Sequence, residues 1–387
     1  MAQKQDLEAA AAAGVIAPEQ VEPLAAFLAS RVGAPSPVPP APRGEEELRF
    51  IRNFHDVFLS IGIAIFAVGM VLGGFVLMGG EGNALGVAFV FALAAGAQWG
   101  LAEVFAKRRR LFLPSIVLCV AFVGFVTAAT MAVTGHVLGE VFGDAWDLEN
   151  TAEGSLIGLT FLIATAAAAL ATGGFWARFR LPFAVGQLGF LVALVAFFAL
   201  WLAAPKLVLD ALPWWSLLSG IALFCVGVWF DARDPERRTL LSDNGFWLHF
   251  AAAPLILNGA LSLATGGGMW SDAFGPVSTP WEQSQTSEAA AAAITLGVVV
   301  VLGVISLLIN RRALIVSALV TTGVSIAVLM DALGLEFGGL AAATLLVLGG
   351  VVLLLGAGWH TARRALLGWV KPDGFWARIF PPEAAPE

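Results

Sequence analysis

Charge is scarce in this chain and cysteine nearly absent. Charged residues make up 13% of its 387 residues and hydrophobic residues 59%, against about 25% charged in a soluble domain. That balance excludes an ordinary soluble fold and makes the bilayer the solvent for most of the chain. The cysteines, Cys119 and Cys225, both fall inside long apolar runs, which excludes a disulfide in the connections between those runs. No Asp, Glu, Lys or Arg stands near the middle of any such run. Charges there are the usual mark of proton relays and ion pathways, so their lack argues against a proton-driven transporter. No GxSxG, HExxH or paired-thiol string occurs, and no Gly-rich phosphate loop, so no enzyme, cofactor or nucleotide site is expected. The first 50 residues lack a basic segment followed by an apolar core and a cleavage site. A cleavable signal peptide is therefore not expected, and the first apolar run itself directs insertion.

What is present is a ten-span hydropathy pattern. Runs of about 18 to 24 apolar residues, the length that crosses a hydrocarbon core, cover Val57 to Gly79, Ala84 to Phe105, Leu111 to Thr134, Gly154 to Ala177, Leu181 to Ala203, Leu212 to Phe230, Phe246 to Thr265, Ala289 to Ile309, Ala313 to Met330 and Gly339 to Gly358. Of the 21 Lys and Arg residues, all but Lys206 lie at the termini or in one alternating set of connections: Lys107 to Arg110, Arg178 with Arg180, Arg233 with Arg237 and Arg238, and Arg311 with Arg312. By the positive-inside rule that set is cytoplasmic. The expected fold is an all-α polytopic membrane helix bundle with both termini inside. Net charge is −7, but it is divided between two compartments and points to no nucleic-acid partner. Tyrosine is missing altogether, while Trp occurs 13 times. Trp176, Trp229, Trp247 and Trp359 mark the inner edge and Trp201, Trp214 and Trp215 the outer one, as interfacial rings do.

Residues 1–32 read as a small cytoplasmic helical pair. An Ala-rich arm stops at Gly14, and Pro18 starts a second arm with Glu19 and Glu22 in its first turns, where acids suit the helix dipole. So small a unit cannot bury enough to fold alone, so a docking partner or the membrane surface is expected to hold it. Residues 33–56 form a Pro-rich tether and a juxtamembrane helix, 57–358 the membrane domain, and 359–387 an interfacial tail whose bases, Arg363 and Arg364 among them, face anionic headgroups.

The string DLEAAAAAGVIAPEQVEPLAAFLASR, the Pro-rich tether after it, and the later loop and span entry DARDPERRTLLSDNGFWLHFAAAPLI resemble a family of bacterial predicted membrane proteins that carry an N-terminal domain of unknown function. The resemblance covers most of the chain. It implies a multi-pass inner-membrane protein and transfers no catalytic residue.

Candidate sites are few. Thr127, Thr130 and Thr134 share one face of the third span, and Asn258, Ser262 and Thr265 one face of the seventh. They either line a path for a polar solute or hydrogen-bond between helices. Arg233, Arg237 and Arg238 are candidate contacts for an anion or lipid headgroup, with Ser242, Asp243 and Asn244 as a cap ahead of the seventh span. Glu103 pairs with Lys107 by i,i+4 spacing. His136, Glu140 and Asp144 are metal-ligand types at i, i+4 and i+8, but Gly135, Gly139 and Gly143 weaken the helix that would align them. No metal is expected. His55, His249 and His360 read as interfacial. The GxxxG pairs Gly69–Gly73, Gly96–Gly100 and Gly154–Gly158 predict close helix contacts. Two function classes follow. One is a non-enzymatic envelope scaffold or sensor whose appendage engages a protein partner; the other is a carrier of a small polar or amphipathic solute.

Overall fold

The computed structural model describes residues 7–9, 11–31, 54–78, 83–142, 151–204, 207–208, 211–234, 239–265 and 301–310, with short pieces at 298, 349–350, 358–359, 361–367 and 380. Every regular element among them is helical. In the N-terminal unit, Gly14 adopts φ +70°, the left-handed conformation that ends a helix without a Cβ clash. The Ala17 backbone N–H donates to Gln20 Oε1 at 3.0 Å. This bond caps the one-turn 3-10 helix Pro18–Gln20, which runs into α1, Val21–Arg31.

The second unit contains α2 (Phe54–Leu77), α3 (Ala84–Ala102), α4 (Phe112–Phe142), α5 (Thr151–Phe179), α6 (Pro182–Ala203), α7 (Leu212–Arg233) and α8 (Leu240–Thr265). Six helices are long and apolar enough to cross a membrane: α2, α3 with its extension to Arg108, α4, α5 from Ile157, α6 and α7. They coincide with the first six runs of the sequence. The seventh run lies within α8, and the last three fall mostly outside the described residues. Apolar side chains point outward as well as inward: Phe58 is 67% exposed, Val76 76% and Leu170 78%. A water-soluble bundle would hide such residues, whereas lipid is a matching solvent for them.

Neighbouring helices pack in sequence. α4 lies against α2, α3 and α5; α6 joins α5 to α8; and α7 and α8 share the most extensive contact. One core gathers Ala102, Leu118, Cys119, Ala168, Phe175 and Ala184, with Trp99 against the rings of Phe122, Phe175 and Phe179. Because lipid tails are as apolar as these side chains, close packing rather than water exclusion holds helices together here. Glycine sets how close they come.

The glycines that do so are not the expected ones. A Cβ added at Gly69, Gly73, Gly96 or Gly100 would meet nothing within 4 Å among the described residues, and Gly158 has only ordinary contacts at 3.6 Å. A Cβ on Gly74 of α2 would collide with the Val90 side chain, and on α6, α7 and α8 the tight contacts reach backbone. A Cβ on Gly186 would stand 2.5 Å from the Trp247 carbonyl oxygen, one on Gly220 2.8 Å from the Ile256 nitrogen, and one on Gly259 would collide with the Leu217 backbone nitrogen. The pattern GxxxG marks a face that permits contact, but which face meets a neighbour is decided by the other helices.

The ends of helices differ from expectation too. α4 continues through Gly135 and Gly139 to Phe142, and His136 Nε2 lies 3.5 Å from Glu140 Oε1. Two glycines at about 1 kcal/mol each do not stop a helix of this length; Asp144 lies outside the described residues. α3 passes into a π-helix, Glu103–Arg108. There Glu103 takes Arg178 of α5 rather than Lys107: Nε and Nη2 donate to its two oxygens at 2.7 and 2.8 Å. A guanidinium fork matches a carboxylate in two bonds, which a lysine one turn away cannot do.

Candidate functional site

α7 and α8 meet around a pair of ionisable side chains near the basic ends of the bundle. Asp231 stands in the last turn of α7 and His249 in the third turn of α8. Their Oδ2 and Nε2 atoms are 3.0 Å apart, and the side chains are 13% and 0% exposed. An ionised carboxylate only accepts, so Nε2–H donates and the ring tautomer is fixed.

The backbone is shaped to hold this pair. Gly227 lies one turn before Asp231, and a Cβ there would come within 2.8 Å of His249 Cε1. Gly245 lies one turn before His249, and a Cβ there would overlap Asp231 Oδ1. Each helix thus carries a glycine four residues ahead of its polar residue, and each glycine makes room for the partner's side chain. The Phe224 ring, centred 5.0 Å from the imidazole, closes another side. His249 Nδ1 is buried without a hydrogen-bond partner. The arrangement can fix two helices, but the fully buried ring offers no atom to a solute. The sequence reads His249 as interfacial, whereas the ring is fully buried; the paired Gly-x3-Asp and Gly-x3-His spacings carry the signal for its partner.

Beyond the pair, Asp234 Oδ2 accepts from the Thr239 backbone N–H at 2.8 Å and from its hydroxyl at 2.6 Å, closing the turn between α7 and α8. α8 begins at Leu240, so Ser242 and Asp243 occupy its first turn instead of preceding it. The Arg233 guanidinium lies 3.6 Å over the Trp229 ring. Arg237 and Arg238 lie outside the described residues.

The two polar stripes are not brought together. Thr127 and Thr130 donate to the carbonyls of Val123 and Val126 on their own helix at 2.7 and 2.8 Å, and Thr134 is buried. Asn258 Nδ2 donates to Ser216 Oγ at 3.4 Å, which donates to the Leu255 carbonyl at 2.9 Å, so this residue ties α8 to α7. Ser262 is buried, and Thr265 ends α8. α4 and α8 share no extensive contact. Gln98 on α3 is fully buried, and neither amide atom has a partner among the described residues. A groove of about 560 Å³ is walled by apolar side chains including Ile221, Phe224, Ile256 and Leu302. A smaller cavity of about 60 Å³ touches Ser216 and Ser219. Among the described residues no group of three His, Cys, Asp or Glu side chains could hold a metal. His55 is exposed, and His360 lies outside the described set.

Within the interfacial tail expected over 359–387, Arg364 is exposed but Arg363 does not face outward. Arg363 is 1% exposed and donates Nη1–H to the Leu307 carbonyl. Trp359 Nε1–H donates to Asn310 Oδ1 at 3.1 Å. The last carbonyls of a helix have no partner within it, and a basic side chain can donate to them.

Helices of this length with outward apolar faces make the chain a multi-pass membrane protein. No family model, curated protein or solved structure matches it.

Proposed function

We propose that this chain is a non-enzymatic scaffold or sensor of a bacterial inner membrane, with residues 1–32 as a cytoplasmic element that docks on a protein partner. The supporting observation is where its polar side chains go. Thr127, Thr130, Ser216, Ser219 and Asn258 hydrogen-bond within the bundle, and the larger cavity is walled by apolar groups. Interhelical and back-bonded polar groups stabilise a bundle but offer little to a passing solute. The Asp231–His249 pair then serves as a fixed point between α7 and α8.

A carrier of a small polar or amphipathic solute is the second reading, and Gln98 is what favours it. A buried amide without partners costs about 1–3 kcal/mol per group, and a transient ligand is one way to offset that. Removal of residues 1–44 separates the readings. In cells deleted for this protein, the truncated chain is expected to reach the membrane at the full-length level and to rescue none of the deletion's defect. Full rescue would favour the carrier and count against a docking element.

A further inference from the structure

On three helices that end on the same side of the bundle, an arginine rests on an aromatic ring four residues earlier. Arg109 lies 6.0 Å from the Phe105 ring centre at the end of the α3 extension, Arg180 4.6 Å from Trp176 after α5, and Arg233 3.6 Å from Trp229 at the end of α7. All are exposed. No hydrogen bond or ion pair holds their guanidinium groups among the described residues. Arg178, two residues before Arg180, differs: its fork is spent on Glu103. Charges left unneutralised at the ends of lipid-exposed helices sit where headgroups lie.

We propose that Arg109, Arg180 and Arg233 form a surface selective for the phosphate of anionic phospholipids, with the Arg180 and Arg233 guanidinium groups held ready by their rings. Stacking fixes the guanidinium plane while leaving its edge N–H groups free, and that edge is the part that grips a phosphate in two bonds. The rings themselves lie at the depth where aromatic belts meet headgroups. This inference needs only that the helices span a bilayer. It stands or falls separately from the choice between scaffold and carrier.

The test reconstitutes the full chain in phosphatidylcholine vesicles with traces of spin-labelled phosphatidylglycerol or phosphatidylcholine. The ratio of motionally restricted to free label gives the relative affinity. The native chain should prefer phosphatidylglycerol, and Arg109→Gln, Arg180→Gln and Arg233→Gln should each reduce the preference by about fivefold or less, the range set by one juxtamembrane base. Arg180→Lys and Arg233→Lys should lose part of it although charge is kept, because the planar fork is gone. Arg178→Gln should leave it unchanged. A native chain without preference, an Arg178→Gln loss equal to that of Arg180→Gln, or lysine variants that keep the full preference would each overturn the proposal.

Discussion

Asp231→Ala is expected to destabilise the membrane domain by about 1–3 kcal/mol, the cost of leaving a buried hydrogen-bonding group without its partner. His249 is fully enclosed, so water cannot replace the lost carboxylate without opening the contact between α7 and α8. The double variant Asp231→Ala with His249→Phe removes both polar groups and keeps a ring against Phe224, so it should recover much of the loss. Thermal unfolding of the detergent-solubilised protein gives the cycle. Coupling of about 0.5–3 kcal/mol is expected for residues in direct contact. Additive losses would mean that the two side chains do not depend on each other. Gly227→Ala should act on the same pair, since its Cβ would push the imidazole from a position 2.8 Å away.

Gly259→Ala should cost about 1–3 kcal/mol or more through overpacking, because the new methyl would meet the backbone of Leu217, which has no rotamer to yield. Gly96→Ala and Gly100→Ala, by contrast, put a methyl into open space on α3. They should be neutral or stabilise by about 0.5–1 kcal/mol, the usual gain from replacing a helical glycine. The contrast is informative because the GxxxG pattern alone predicts the reverse order. The same unfolding assay decides it. A tolerated Gly259→Ala beside a damaging Gly96→Ala would contradict the packing described for α7 and α8.

Helix positions were legible in the sequence because the bilayer imposes a length. Val57 to Gly79 was read as a span, and α2 is Phe54–Leu77; Leu181 to Ala203 was read as a span, and α6 is Pro182–Ala203. Pairing was much less legible. A short Thr, Ser or Asn stripe can bond to its own helix, as Thr127 and Thr130 do, or across to a neighbour, as Asn258 does, so neither the α4–α8 separation nor the use of Gly259 over Gly96 is legible from the pattern. Glu103 and Arg178 are 75 residues apart, and only the fold makes the distant fork a better partner than Lys107. The Asp231–His249 pair was readable in principle. Both residues flank one short turn, and each follows a glycine by four residues, the spacing that puts a gap and a polar group on one helix face.

The most direct test of the membrane reading is cysteine accessibility in intact cells, in a Cys225→Ser background that removes the exposed native thiol and leaves Cys119 buried. Glu140→Cys, near the C-terminal end of α4, should react with a membrane-impermeant maleimide added outside if the basic connections are cytoplasmic. Arg109→Cys, beyond the α3 extension, should react only after the membrane is permeabilised. Labelling of Arg109→Cys alone in intact cells would reverse the orientation, and recovery of the chain in the aqueous fraction would contradict the membrane assignment itself.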